Sequence, residues 1–538
     1  MGLRIRWLSN YDNCHCYYFD LIQSAMNGFM LASTGHGVST GTTILFAALL
    51  VGLIACLALE EKLHAKKSVI AGIFAIVCLL LGAICGILPF DRIVVGSHEM
   101  TDIEEVQGDY VLDSDPEHHP HRVDDEHQPA TVHVDGHRLE MPVYIPGINW
   151  GVIAIILGSS LFVDVTSKSG LFTWVAIKVT KASGGDPLKL LYFYGIMTVV
   201  FSAVLNNVTA MIIVGSLTAV SLEKLERKDK LLGFLLIEGL LTNVGGLLTL
   251  ISSVPNIIVG TTASISFATF FLKASPYVAV STAMTLWMGA RLFDVKKLAT
   301  EEERTTAAQL VSGFDEKDGI ESWGFFWFGT GMLVLFITCI ATASILPGDI
   351  KHLGMGFIAL AFAGVMLLRY KSEVDSFYRS LDWDLLGFFM ALFVVIYVME
   401  HAMVLASIGN LLERVLVDIN QAPAHWRDTI VLLVGSAAFS SVTDNIPLAA
   451  MLASILTDLG APLAGAESAE SGLWWSVIFG ANLGGNLTPI GSASTLVAVT
   501  IIHKHKLPMS FAAFVKAAFP FAIAHITLAT IYVLLFLR

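Results

Sequence analysis

Residues Thr242-Asn-Val-Gly-Gly-Leu-Leu-Thr-Leu-Ile-Ser-Ser-Val-Pro-Asn256 return later in the chain as Ala481-Asn-Leu-Gly-Gly-Asn-Leu-Thr-Pro-Ile-Gly-Ser-Ala-Ser-Thr495. Asparagine, two glycines, leucine, threonine, isoleucine and serine recur in register. A second pair of short motifs, Leu205-Asn-Asn-Val-Thr209 and Thr443-Asp-Asn-Ile-Pro447, precedes the two copies at nearly equal distance. Two motifs that recur together at matched spacing predict an internal duplication.

The composition places the chain among membrane proteins. Its 538 residues have a mean hydropathy of +0.70 with 14% charged residues, and apolar runs of roughly 17 to 25 residues, long enough to cross a hydrocarbon core, recur throughout. Both features exclude a soluble enzyme. We predict an integral, multi-pass protein of the bacterial inner membrane, with the lipid bilayer as a partner and no nucleic-acid partner.

The negative charge is concentrated in one loop. The formal net charge is −13, and residues 91–145 hold fourteen Asp and Glu against three Arg, together with seven of the sixteen His. The run His118-His-Pro-His121 contains metal-ligand types, but no second cluster at a recognisable spacing accompanies it. A solvated outer loop is therefore the preferred interpretation. The six scattered cysteines indicate neither a disulfide framework nor a zinc ribbon.

Apolar and charged stretches divide the chain into four parts. Residues 1–42 are predicted to form an N-terminal interfacial segment. Residues 43–292 form the first repeat, which contains the acidic, His-rich outer loop 91–145. Residues 293–322 form a charged cytoplasmic linker without apolar periodicity. Residues 323–538 form the second, inverted repeat.

Loop charges indicate opposite orientations for the two repeats. Basic residues at both ends of 188–222 predict a re-entrant hairpin that enters and leaves on the inner face, whereas acidic flanks of 429–458 predict a hairpin that enters from the outer face. A helix follows each hairpin and breaks at its glycine-rich motif. We predict an all-α polytopic membrane protein with two inverted-topology repeats, each with a re-entrant helical hairpin and a broken transmembrane helix. Secondary transporters build a midplane site in this way.

Hairpin tips and helix breaks at membrane depth predict a polar cavity. Backbone groups cannot stay unpaired in hydrocarbon, so such breaks line a cavity or are buried in protein. Helix starts direct N–H groups, and helix ends direct carbonyls, at a bound ion. Close packing of small residues would explain one such motif more readily than four at matched spacing. The predicted substrate- or ion-binding residues are Asn206, Asn207, Thr209, Asn243, Gly245, Thr249, Ser252, Ser253, Asn256, Thr443, Asp444, Asn445, Asn482, Gly485, Asn486, Thr488 and Ser492.

Asp444 is the titratable residue at the second hairpin tip. A carboxylate at the bilayer centre costs on the order of 3 kcal/mol to insert, so it is a functional candidate for binding a cation or carrying a proton. The equivalent residue of the first repeat is the neutral Asn206. Glu238 is the second candidate for carrying a proton. We predict sodium at Asp444, Asn445 and Asn207, and no catalytic residues.

Five motifs together resemble one superfamily of ion transporters. It includes the P protein, arsenite permeases, NhaD-type sodium/proton antiporters, citrate-transporter-like proteins and divalent anion/sodium symporters. The motifs are Leu205–Thr209, Thr242–Gly246, Val254-Pro-Asn256, Ser441–Pro447 and Leu483–Gly491.

The resemblance extends over residues 43–537 apart from the acidic loop, and it is specific for the superfamily rather than for a substrate. It implies a scaffold and a transport subdomain in each repeat, a homodimer, and elevator-type movement of the substrate site. Members close to the P protein usually carry Asp at the position of Asn206, and Gly-Asp at the positions of Ser252 and Ser253. This chain therefore lacks two carboxylates, which leaves the coupling ratio and the ion open.

These observations predict a secondary active transporter, not an enzyme. The first hypothesis is a sodium/proton antiporter in which Asp444 binds the two cations alternately. The alternative is a sodium- or proton-coupled transporter of a small anion such as a dicarboxylate, sulfate or arsenite. Against the alternative, an ionised Asp444 repels an anion unless a cation neutralises it. We expect no resident cofactor, with Na⁺ and H⁺ as the transported or coupling ions, and a homodimer.

Overall fold

The computed structural model describes residues 38–88, 144–343, 353–463 and 472–537, except Pro146 and Asp318, and four two-residue strands between 93 and 139. The predicted interfacial segment up to residue 37 lies outside the described residues. So does most of the acidic loop, including the histidines at 118 and 119.

The first half of the chain contains eleven described helices. They are α1 (Thr40–Ala58), α2 (Glu60–Leu63), α3 (Lys67–Ile84), α4 (Trp150–Ser167), α5 (Leu171–Ser183), α6 (Pro187–Val204), α7 (Asn207–Lys224), α8 (Leu231–Gly245), α9 (Val254–Thr262), α10 (Phe267–Leu292) and α11 (Glu301–Ser312). Antiparallel two-residue pairs join β1 (Ile93–Val94) to β4 (Arg138–Leu139) and β2 (Tyr110–Val111) to β3 (His121–Arg122).

The second half contains ten described helices. Its described helices are α12 (Trp323–Ala341), α13 (Gly354–Arg369), α14 (Val374–Ser380), α15 (Trp383–His401), α16 (Val404–Glu413), α17 (Trp426–Ser440), α18 (Asn445–Asp458), α19 (Gly472–Gly484), α20 (Ala493–Lys504) and α21 (Phe511–Tyr532), which continues as a π-helical turn, Val533–Leu537. Short 3₁₀ turns at Lys228–Lys230 and Lys371–Glu373 precede α8 and α14.

The two hairpins and the two broken helices have the predicted form. Helices α6 and α7 meet at Asn206, and α17 and α18 meet at Asp444. The first broken helix is interrupted from Gly246 to Ser253, between α8 and α9, and the second from Gly485 to Ser492, between α19 and α20. We call these two interruptions the first and the second break. Glycine and polar residues therefore end the helices where the duplicated motif predicts it.

The first segments of the broken helices form the centre of the molecule. Every residue of α19 is buried, and so is every residue of α8 except Leu232. Trp474 and Trp475 are among the largest fully buried side chains. A helix that is apolar on all sides is buried against other helices rather than exposed along one face. The breaks that follow α8 and α19 are thus enclosed by protein.

Helices of one half pack against helices of the other. Helix α3 packs along α15, and α4 packs along α13; likewise α9 packs on α18 and α20 packs on α7. The entry helices α4 and α15 also begin alike: Asn149 and Asp382 cap them, and the indoles of Trp150 and Trp383 donate to the carbonyls of Ile145 and Tyr378. These matched pairs support the duplication. The opposite orientation of the halves across the bilayer stays a prediction.

Seven described helices are long and apolar enough to cross a membrane, and a bent pair formed by α13 and the segment after it would add one more. The protein is therefore an integral, multi-pass membrane protein. Two helices differ from the sequence-based expectation. The linker contains α11, which begins with a capping box between Thr300 and Glu303, and α16 follows α15 as α5 follows α4. Both are short, at twelve and ten residues, so neither stands out in the sequence as a membrane-spanning segment.

Candidate functional site

Four helices begin with a polar residue at the hairpin tips and breaks. Asn206 caps α7 by accepting a hydrogen bond from the N–H of Thr209 at 2.7 Å, and Asp444 caps α18 by accepting from the N–H of Ile446 at 3.1 Å. Ser492 caps α20, and α9 begins directly after Ser253. Side-chain caps satisfy N–H groups that have no partner inside the helix. All four helix starts belong to the predicted site motifs.

Asn243 of α8 joins the first half to the second break. Its amide nitrogen donates to Oδ1 of Asn486 at 2.8 Å and to Oγ of Ser492 at 2.9 Å. Its amide oxygen accepts from Ser494 at 3.1 Å and from Asn207, at the first hairpin tip, at 3.3 Å. An asparagine amide has two donor hydrogens and two acceptor lone pairs. Asn243 uses all four, which fixes its orientation.

Asn482 of α19 makes the reciprocal connection to the first break. Its amide oxygen accepts from Oγ of Ser253 at 2.7 Å, and its amide nitrogen donates to Oδ1 of Asn256 at 2.8 Å. Asn256 in turn donates to the carbonyls of Gly246 and Thr249. Asn243 and Asn482 occupy equivalent positions in the duplicated motif, and so do Ser492 and Ser253. Each copy therefore completes the break of the other. We call the asparagine cluster the fully buried amides of Asn243, Asn256, Asn482 and Asn486 with their hydroxyl partners Ser253, Ser492 and Ser494.

Each hairpin is fastened to its own broken helix by equivalent hydrogen bonds. Ser202 and Ser440, four residues before the tips, donate at 2.6 Å to the carbonyls of Thr242 and Ala481. Thr249 and Thr488, inside the breaks, donate at 2.5 Å to the carbonyls of Ala203 and Ser441. A buried carbonyl without a partner is costly. These hydroxyls satisfy carbonyls that the helix ends leave open.

Glycine is required where the hairpins approach the breaks. A Cβ on Gly246 would lie 2.6 Å from the Asn207 amide oxygen, and one on Gly245 would lie 2.8 Å from the backbone of Val199. In the second break, a Cβ on Gly485 would lie 2.9 Å from the carbonyl oxygen of Gly491. These are shorter than any normal carbon contact. The duplicated Gly-Gly pair is therefore a packing requirement of the site.

Asp444 is ion-paired. Its Oδ2 lies 2.6 Å from Nζ of Lys67, the first residue of α3, and the two side chains are only 12% and 24% exposed. Lys67 also lies 3.8 Å from Glu60, and the neighbouring Ser68 donates to Asp384 at the start of α15. Helix starts favour a nearby negative charge. The one acidic hairpin tip thus faces a lysine from a different part of the chain.

Glu238 lies on α8, away from the hairpin tips. It is fully buried, and the hydroxyl of Thr218 on α7 donates to its Oε1 at 2.6 Å. Its Oε2 has no hydrogen-bond partner within the described part of the chain. Buried polar oxygens are normally satisfied, and a proton on this carboxyl group would be one explanation for the unpartnered oxygen. Glu238 therefore keeps its place as a candidate for carrying a proton.

The remaining predicted residues have local roles. Thr443 donates to the carbonyl of Phe439, and Ser252 donates to the carbonyls of Gly246 and Thr249. Asn445 is buried in the first turn of α18. Among the residues that the structure describes, no hydrogen bond joins Asp444 to Asn207. The sodium site at Asp444, Asn445 and Asn207 stays a prediction.

Sequence reasoning missed two residues that contact the site. Lys67 ends the short charged stretch 60–67, and nothing in the sequence connects it to a motif 377 positions away. His525 on α21 is fully buried and contacts Asn486. A lone histidine in an apolar helix was the only available signal.

Comparisons with known proteins agree with this architecture. The family model described as citrate transporter matches residues 129–478, which is more than half of the chain. The 46 kDa membrane protein of Mycobacterium leprae is 31% identical over 72% of this chain and 86% of its own length. The P protein of Mus musculus is 25% identical over 76% of this chain and 56% of its own length.

Among solved structures, that of the YdaH transporter of Alcanivorax borkumensis aligns with a TM-score of 0.53 at 13% identity, over 87% of this chain and 98% of that one. At this identity the likeness shows the fold alone. The family model and the mycobacterial relative together show the family. The chain is a membrane transporter that belongs to the citrate transporter family.

Proposed function

We propose that the chain exchanges sodium ions for protons across the membrane, with Asp444 as the group that binds the two cations alternately. The observation that carries the proposal is the pair formed by Asp444 and Lys67. Lys67 supplies a positive charge to a carboxylate at a helix start, and Na⁺ can supply the same charge. A proton on Asp444 removes the need for either. One carboxylate can therefore alternate between partners of equal charge.

The asparagine cluster supports binding of a small ion at the two breaks. Its amide and hydroxyl oxygens, and the carbonyls of the two breaks, are the ligand types that hard cations prefer. Because the cluster is buried and its amides are held by several hydrogen bonds, its oxygens are oriented before an ion arrives. Glu238 is the second group that we propose to carry a proton.

We further propose elevator-type movement in a homodimer without a resident cofactor. The packing of the helices supports two bodies in each chain. Hairpins and broken helices pack mainly against one another, whereas α3 packs with α15 and α4 with α13. The Lys67–Asp444 contact joins these two bodies. Movement of one against the other would have to break that contact.

The test is sodium-driven proton movement in proteoliposomes loaded with a pH-sensitive dye. In wild-type protein an imposed Na⁺ gradient is expected to drive protons in the direction opposite to the Na⁺ flow. The Asp444→Asn substitution is expected to abolish the dye signal while the protein stays folded. If the Asp444→Asn variant retains the signal, Asp444 is not the exchanging group.

A second candidate is transport of a citrate-like anion coupled to Na⁺ or H⁺. The description of the family model favours it, and so do the four helix starts at the hairpin tips and breaks, because N–H groups at helix starts bind anions. The Lys67 ammonium reduces the repulsion between Asp444 and an anion. Uptake of labelled citrate, succinate, sulfate and arsenite distinguishes the candidates, since the antiporter takes up none of them.

A further inference from the structure

His525 links the asparagine cluster to helices α10 and α21. Its ring lies on α21, fully buried. Nε2 is 2.6 Å from Oγ1 of Thr285 on α10, and Nδ1 is 3.3 Å from the amide nitrogen of Asn486 in the second break. The ring therefore has one polar contact toward the site and one away from it.

The partners determine which ring nitrogen carries the proton. The Asn486 amide nitrogen is a donor, so Nδ1 must accept and is unprotonated. Nε2 then carries the hydrogen and donates to Thr285, whose own hydroxyl donates to the carbonyl of Ser281 at 2.7 Å. Each donor in this series of hydrogen bonds faces an acceptor. The contacts are consistent with the neutral Nε2–H tautomer.

This arrangement also determines which way the Asn486 amide faces. Its nitrogen points at His525 and at the carbonyl of Leu240, 3.3 Å away. Its oxygen accepts from Asn243. Turning the amide over would place its oxygen against two acceptors and its nitrogen against the donor of Asn243. His525 is therefore one of two groups that keep the Asn486 oxygen directed at Asn243.

We propose that His525 is a positioning residue of the transport site: Nδ1 orients Asn486, and Asn486 orients Asn243, which contacts the first hairpin tip through Asn207. The inference rests on the proposed function, in that the asparagine cluster is taken as part of the transport site. The competing explanation is that His525 only fastens α21 to α10, as the hydroxyl of Tyr277 does by donating to the His525 carbonyl at 3.1 Å.

Two substitutions separate these explanations because each keeps one half of the ring's contacts. In His525→Asn a carbonyl oxygen occupies the position of Nδ1 and can accept from Asn486, while the contact with Thr285 is lost. In His525→Gln the polar atoms reach the position of Nε2 and Thr285, while the amide nitrogen of Asn486 keeps the carbonyl of Leu240 but loses its second acceptor. His525→Leu removes both contacts.

The measurement is the Na⁺ concentration for half-maximal proton movement in dye-loaded proteoliposomes, with maximal rate and thermal midpoint in detergent measured on the same samples. We expect His525→Asn to resemble wild type, and His525→Gln to need about tenfold more Na⁺, since one buried donor is left unsatisfied. Equal effects of the two variants, or a loss of affinity in His525→Asn alone, would overturn the proposal.

Failure of the proposed function gives a different result. If wild-type protein moves no protons in response to Na⁺, sodium/proton exchange is wrong, and the same variants are compared in uptake of labelled citrate. In the citrate assay the measured quantity is the citrate concentration for half-maximal uptake, instead of the Na⁺ concentration for half-maximal proton movement. The same order of the variants supports positioning by His525, and a lack of difference between Asn and Gln contradicts it.

Discussion

Replacing Lys67 by methionine tests the charge balance at the second hairpin tip. Methionine keeps the length and apolar character of the side chain but removes the ammonium that lies 2.6 Å from Asp444 Oδ2. If Lys67 and Na⁺ compete for the same carboxylate, the variant binds Na⁺ more tightly than wild type. The rate of exchange of the variant falls, because protein without a bound ion has no positive partner for Asp444 while the site moves back across the membrane.

The geometry sets the size of the effect. At 2.6 Å and an effective dielectric constant of about 20, two unit charges attract by about 6 kcal/mol before the cost of desolvation. Measured coupling energies of close charge pairs retain roughly 1.5 to 7 kcal/mol. Even the lower value corresponds to a change of about tenfold in binding. We therefore expect half-maximal proton movement at an Na⁺ concentration at least about tenfold lower.

The assay is the Na⁺ dependence of proton movement in dye-loaded proteoliposomes. Lys66→Met is the matched control, since it removes the same charge from the adjacent, exposed residue. Lys67→Arg keeps the charge and is expected to stay near wild type. An Na⁺ dependence in Lys67→Met that coincides with that of Lys66→Met would show that Lys67 does not compete with the cation, and would refute the reasoning.

Three further predictions concern residues outside this pair. Glu238→Gln should keep the thermal midpoint but lower the number of protons moved per Na⁺; an unchanged ratio in calibrated flux measurements would exclude Glu238 as a proton carrier. Gly246→Ala should lose about 1 to 3 kcal/mol of stability through contact with Asn207, whereas Gly435→Ala, whose Cβ would meet nothing within 4 Å, should melt at the wild-type temperature or above. Two backbone N–H groups at the start of α11 lower the pKa of Glu303 below its ordinary value. The cap therefore stabilises the helix fully at pH values above the ordinary pKa, and this stabilisation is lost as the pH falls through the lowered pKa. Hydrogen-exchange protection of the helix should fall between these two pKa values in wild type and change less in Glu303→Gln.

The elements that carry the site could be predicted because the sequence repeats them. Glycine and asparagine recur at two helix breaks, and polar residues stand at both tips, so each copy supports the interpretation of the other. The capping box of Thr300 and Glu303 is also recognisable in the sequence. It was not used to predict α11, because the linker around it is charged and has no apolar periodicity. Lys67 and His525 could not be found in this way. Neither belongs to a repeated motif, and their partners are distant in sequence and meet them only in the folded chain.

The two hairpin tips are capped in different ways. Asn206 and Asp444 stand at equivalent positions, and each caps the helix that follows. Asn206 directs its oxygen to the third residue of its helix at 2.7 Å. Asp444 caps the second residue of its helix with Oδ1 at 3.1 Å, which leaves Oδ2 for Lys67. A neutral amide satisfies the first tip without any partner from elsewhere. The carboxylate of Asp444 requires a positive partner. Different cations can take that place in turn, which is the property that an exchange mechanism needs. The asparagine cluster is built from both copies, whereas the acidic hairpin tip belongs to the second copy and its lysine partner to the first half of the chain.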